Sequence, residues 1–168
     1  QLPFQYSMHT LNEHKEFLHM QHSDPRQPFI ESLVHDLPRD GSIIVWNKSF
    51  EAGVLRKLGE RYPEHQAWVD NVVNRMVDLE VPFKQMTVYY KGQNGRSSIK
   101  KVLPAMMGKD YGALEINQGA DASAMYYNFV CEGKGNNPKE ALLAYCKQDT
   151  HAMVDIYQYL MKLCNREI

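Results

Sequence analysis

Cysteine is scarce in this 168-residue chain. Its three cysteines, Cys131, Cys146 and Cys164, form no C-x-x-C pair and no even disulfide framework. Free thiols in a reducing, cytoplasmic compartment are the expectation. An excess of one charge is also missing: 19 Lys and Arg stand against 20 Asp and Glu, a formal net charge of -1. Any nucleic-acid contact must therefore be local rather than a basic field over the whole surface. Long apolar runs are absent. Short ones such as Ile43-Ile44-Val45-Trp46 fall far below the roughly 20 residues that span a bilayer, so no membrane partner is expected. There is no internal repeat, low-complexity segment or linker. With 43% hydrophobic and 23% charged residues, disordered and fibrous classes are excluded, and one domain over residues 1–168 fits the length. The chain starts at Gln1 rather than Met and enters an apolar alternation at once, which leads to the expectation that an upstream segment has been removed.

What is present reads as alternating strands and helices. Phe4, Tyr6 and Met8 alternate with polar neighbours, the period of a half-buried strand. Leu11-Asn12-Glu13 can turn, and residues 14–20 can return with Glu16, Leu18 and Met20 on one face. Asp24-Pro25-Arg26-Gln27 predicts a capped helix start with a capping box completed by Gln27. Phe29, Ile30, Leu33, Val34 and Leu37 then follow at helical spacing. Residues 42–46 predict a strand buried on both faces. Helices are expected over 50–62, from Pro63 to Met76, over 98–107 with a stop at Gly108, and over 120–130. Val77-Asp78-Leu79 suits a short strand. Asn137-Pro138-Lys139-Glu140 predicts a capping box opening a last helix that runs to about Cys164.

Two places can carry chemistry. Glu51 follows a buried strand and opens a helix, at the sheet edge where α/β folds place ligands; it can also simply complement the helix dipole. Tyr145 and Asp149 are four apart on the last helix, so phenol and carboxylate share one face. Either motif occurs by chance when taken alone.

Together they are more specific. A strand ending in Asn47-x-x-Phe50-Glu51, with Tyr145-x-x-x-Asp149 about a hundred residues later, resembles the tyrosine variant of the DEDD (DnaQ-like) 3′–5′ exonucleases. Further segments match an uncharacterised bacterial domain of unknown function that is itself similar to those nucleases and often forms part of a longer nuclease-like protein. These are Pro3-Phe4-Gln5-Tyr6-Ser7, Asp24-Pro25-Arg26, Val77-Asp78-Leu79, residues 98–104 and Ala144-Tyr145-Cys146. The resemblance implies an α/β, ribonuclease-H-like fold: a mixed sheet flanked by helices, N-terminally truncated with its first strand missing. It implies metal-dependent hydrolysis of DNA or RNA phosphodiester bonds by the full-length protein. Two Mg²⁺ or Mn²⁺ ions would be held by Glu51 and Asp149 with Tyr145 orienting the attacking water, because hard cations favour carboxylates. The family's first motif, Asp-x-Glu on the first strand, is expected before Gln1. The fragment is therefore expected to be inactive, with an incomplete metal site. Glu51 also stands where most of these nucleases have Asp.

Residues 84–101 hold Lys84, Lys91, Arg96, Lys100 and Lys101 and no acid. They are the best candidate for contact with single-stranded DNA or RNA ends. The cations would meet phosphates, Tyr89 and Tyr90 would stack on bases, and Asn47 would help hold substrate. Asp78 is a lesser candidate beside the site, or a cap for the next segment. Five histidines, His9, His14, His19, His22 and His35, crowd the first 35 residues without familiar zinc-ligand spacing. The competing functions are a non-catalytic nucleic-acid-binding or scaffold module of a larger nuclease protein, and an interaction domain with no nucleic-acid role.

Overall fold

The computed structural model describes residues 2–10, 12–109, 116 and 118–165. The chain forms two compact units. One combines residues 1–37 with 111–150, the other 38–110 with 151–168.

In the first unit the alternation at the start of the chain forms β1 (Gln5–His9) and β2 (His14–Leu18), an antiparallel hairpin in which Tyr6 faces Phe17. Leu11 of the expected turn lies outside the described residues. Tyr6 and Phe17 stack with centroids 5.7 Å apart, and each meets the edge of Phe29. That ring cluster is how α1 (Arg26–Asp36) docks, with Phe29 and Ile30 buried. The expected capping box is only half made. Asp24 Oδ1 accepts from the Arg26 N–H, but Gln27 turns along the helix to Glu31 instead of back to the cap. A glutamine with a partner one turn on has a competing hydrogen bond of similar worth.

α6 (Gly119–Tyr126) runs on into a π-helical turn at Tyr127–Cys131. Ile116, Ala122, Tyr126 and Val130 form an apolar cluster with Leu142 and Tyr145, covered by Phe4, Leu18 and Met20. Phe4 stacks on Tyr126 at 3.8 Å. α7 (Lys139–Cys164) starts where expected, with Asn137 Oδ1 accepting from the Lys139 N–H. Its residues up to Thr150 belong to the first unit and the rest to the second.

In the second unit β3 (Ile43–Val45) pairs in parallel with β4 (Met76–Asp78). Parallel strands need a crossover, here supplied by α2 (Lys48–Arg61) and α3 (Gln66–Arg75), which pack on each other. β3 is less enclosed than predicted: Val45 is buried, but Ile43 and Ile44 keep some solvent contact. Pro63 opens a 3₁₀ turn before α3 rather than the helix itself. α4 (Val81–Lys84) is short, and α5 (Ile99–Met107) ends at Gly108, in the left-handed conformation expected of a glycine stop.

The architecture is thus mixed α/β and mostly helical, with four strands among the described residues hydrogen-bonded two by two.

Candidate functional site

The predicted site residues divide between the two units. Tyr145 and Asp149 belong to the first, and Asn47, Glu51 and the 84–101 stretch to the second.

α7 places Tyr145 and Asp149 one turn apart, and the phenol hydrogen-bonds the carboxylate. The ring of Tyr145 sits in the apolar cluster, with the residue only 8% exposed. Its hydroxyl lies beside the start of α6, where a Cβ on Gly119 would meet it at 3.8 Å. Burial, and next the negative charge of Asp149, push the phenol well above the ordinary tyrosine range. It is therefore a fixed hydrogen-bond donor at neutral pH and not a base. Thr150, next to Asp149, shares a 2.8 Å hydrogen bond with Ser7 Oγ, and His14 Nε2 lies 2.9 Å from the same Ser7 oxygen. The hairpin is thereby tied to the turn of α7 that carries the candidate acid.

In the second unit Asn47 caps α2: its Oδ1 accepts from the Phe50 N–H and from Ser49 Oγ. Asn47 thus has a structural task. Glu51 lies in the first turn. A solvated acid there would be stabilised in its charged form by the helix dipole. Instead, the protein packed around its carboxyl raises its pKa, although the side chain still reaches solvent. The direction of that shift follows burial and runs against the stabilisation that a helix N-terminus gives a charged acid. Phe50 beside it is exposed.

Asp78 closes β4 and acts as a double cap. One carboxylate oxygen accepts from the Lys48 N–H at the start of α2 and the other from the Glu80 N–H, both at 3.0 Å. Lys48 Nζ in turn donates to the Met76 carbonyl. Asp78-Leu79-Glu80 is itself an Asp-x-Glu sequence, which corrects the expectation that this chain holds no such motif. Both of its acids already have partners, since Glu80 Oε1 accepts from Ser97 Oγ at 2.7 Å.

The 84–101 stretch is more ordered than an exposed excursion. Lys91, Arg96 and Lys101 are exposed, Lys100 partly so, and Tyr89 is 49% exposed. Tyr90 does not face outward to stack. Its ring meets Tyr159 of α7 edge-on at 6.4 Å and its phenol hydrogen-bonds that residue, with burial raising its pKa to about 12. Gln93, which sequence reasoning missed, is 1% exposed and organises the turn. A polar residue in a loop gives no sign of burial.

Among the described residues no group of three or more His, Cys, Asp and Glu side chains is placed to hold a metal ion. These residues by themselves therefore do not fit a two-metal centre. The histidines are engaged elsewhere: His19 with Ser23, His22 with the Val130 carbonyl, and His35 with Asp36. A groove of about 430 Å³ is lined by Phe4, Tyr126, Tyr127 and Cys131 among others, and holds none of the predicted residues.

The chain belongs to the family of a domain of unknown function, DUF2779, which matches residues 1–98. That span includes Asn47, Glu51 and Asp78 and ends before Tyr145 and Asp149. The chain is similar to the uncharacterised protein MG366 of Mycoplasma genitalium, 29% identical over 153 residues, which cover 82% of this chain and 23% of the relative. It is also similar to the uncharacterised protein UU173 of Ureaplasma parvum, 25% identical over 143 residues, covering 73% of this chain and 21% of the relative. The chain thus spans less than a quarter of the length of these curated relatives. No solved structure matches it. No helix among the described residues is long and apolar enough to cross a membrane.

Proposed function

We propose that this chain is part of a 3′–5′ exonuclease-like protein of ribonuclease-H-like fold, acting on single-stranded DNA or RNA ends and inactive without the rest of that protein. The observation that carries this reading is the pairing on α7: a buried phenol, held protonated, donating to a carboxylate one turn away. Phosphodiester hydrolysis needs a carboxylate to bind a divalent ion and a group to orient water; Asp149 offers its carboxylate, and the Tyr145 oxygen, its proton held by Asp149, can accept a hydrogen bond from that water. Glu51, in the other unit, is the second acid that the family resemblance names as a ligand. Mg²⁺ or Mn²⁺ would supply charge neutralisation and an activated water. The remaining carboxylates of such a centre would come from the rest of that protein, because no described group of acids completes one. Protein length beyond this chain is ample in both curated relatives.

The test is Asp149→Asn in the full-length protein, with Mg²⁺-dependent shortening of a 5′-labelled single strand as readout. The expected result is a loss of at least about 100-fold, the scale on which single catalytic groups act. Cleavage at the wild-type rate would reject the assignment. The alternative, a non-catalytic nucleic-acid-binding or scaffold module, is favoured by the exposed cations of residues 84–101. It is identified if the intact wild-type protein binds single strands and cuts nothing.

A further inference from the structure

We infer that Gln93 is a positioning residue, pinning residues 89–98 as a preformed cationic surface for single-stranded nucleic acid. The inference rests on the nucleic-acid reading above and deepens it.

Residues 81–109 contain no Asp or Glu, but six Lys and Arg. Lys109 is neutralised by Asp155 at 2.7 Å. No carboxylate among the described residues pairs with Lys84, Lys91, Arg96 or Lys101. A loop so rich in one charge repels itself and would spread in solution. Here it is held closed from inside. The Tyr90 N–H donates to Gln93 Oε1 at 2.8 Å, and Gln93 Nε2 donates to the Arg96 carbonyl at 3.2 Å. The backbone repeats both links: the Gln93 N–H donates to the Tyr90 carbonyl and the Arg96 N–H to the Gln93 carbonyl. The turn passes through left-handed Asn94 and Gly95.

The turn is also seated. A Cβ on Gly92 would lie 3.0 Å from that of Ala105, so the loop backbone rests flush on α5. Ser97 is fixed to Glu80 and Tyr90 to Tyr159. The exposed cations Lys91 and Arg96 flank the buried amide, and Lys100 and Lys101 follow in the first turn of α5. Exposed Tyr89 adds one ring for a base to stack on. Spaced cations with an aromatic among them suit a phosphate backbone, and a surface already ordered avoids the entropy of ordering it on binding.

The experiment is fluorescence anisotropy with a labelled oligothymidylate of about 15 nucleotides, a span within the usual single-strand site sizes, across a salt series. Lys91→Ala, Arg96→Ala and Lys101→Ala combined should weaken binding at least tenfold and lower the salt slope by about 2, as three lost phosphate contacts require. Gln93→Met keeps the side-chain volume and removes both hydrogen bonds. Alone it should weaken binding several-fold, but less than twofold on the triple-alanine background, because it acts through those cations. Gln93→Asn is measured beside it, so that a variant with wild-type circular dichroism is available. Equal weakening on both backgrounds, or none, overturns the role of Gln93 while leaving the nucleic-acid surface intact. No binding by the wild type, or equal competition by polyglutamate, overturns the surface itself.

Discussion

The two units hold their candidate tyrosines in opposite ways. In the first, Tyr145 is part of the core: its ring fills the apolar cluster and only its hydroxyl is chemical, fixed on Asp149. In the second, Tyr89 stands out from a cationic turn whose interior is a buried glutamine, and its neighbour Tyr90 is turned to Tyr159. The same side chain is thus a locked donor in one unit, an exposed ring in the other, and a tether one residue later. Burial decides which, because it fixes whether the ring is available and whether the hydroxyl can ionise. A locked donor suits chemistry at a set position, while an exposed ring among cations suits a chain of variable sequence.

The comparison predicts different costs for damage. Leu142→Ala, at a fully buried position in the Tyr145 cluster, should lower stability by about 2–5 kcal/mol in urea denaturation. Lys91→Ala or Arg96→Ala alone should stay within about 0.5 kcal/mol, as surface changes usually do. Equal costs at the two places would break the contrast. Asp78→Ala should cost about 1–3 kcal/mol on the same measurement, since it leaves the Lys48 and Glu80 N–H groups without their acceptor. A change under about 0.3 kcal/mol would show that water replaces the carboxylate there at little cost.

The smallest effect is in pH. Tyr90 and Tyr126 are each raised from 10.0 to about 12, chiefly by burial. In the unfolded chain they would ionise first, so between those values the folded state binds more protons. The stability they contribute is complete below pH 10 and is lost as pH rises toward 12. Melting temperature should fall across that window, and Tyr90→Phe should make the fall shallower. An unchanged slope would mean that the phenol of Tyr90 titrates as if solvated.

Much of the local structure was legible. The alternation of Phe4, Tyr6 and Met8 foretold the hairpin, Asn137 the start of α7, and Gly108 the end of α5, because each rests on period or cap chemistry within a few residues. Tyr145 and Asp149 could be placed on one helix face for the same reason. The failures lay where a side chain chooses between partners. Gln27 takes Glu31 rather than the helix cap, Asp78 becomes a double cap, Tyr90 turns inward, and Gln93 is buried. None of these choices has a periodic signature.

Sequence alone determined where most of the helices and strands of this protein run, the absence of any long apolar run, and the acid-free stretch that follows α4, because composition and period are local properties of a chain. Only the tertiary structure decided which carboxylates are already engaged by backbone N–H groups, which tyrosine faces out, and which polar side chain lies inside a loop. Those outcomes depend on what packs against each group once distant segments meet, and desolvation then sets both hydrogen-bond partners and ionisation.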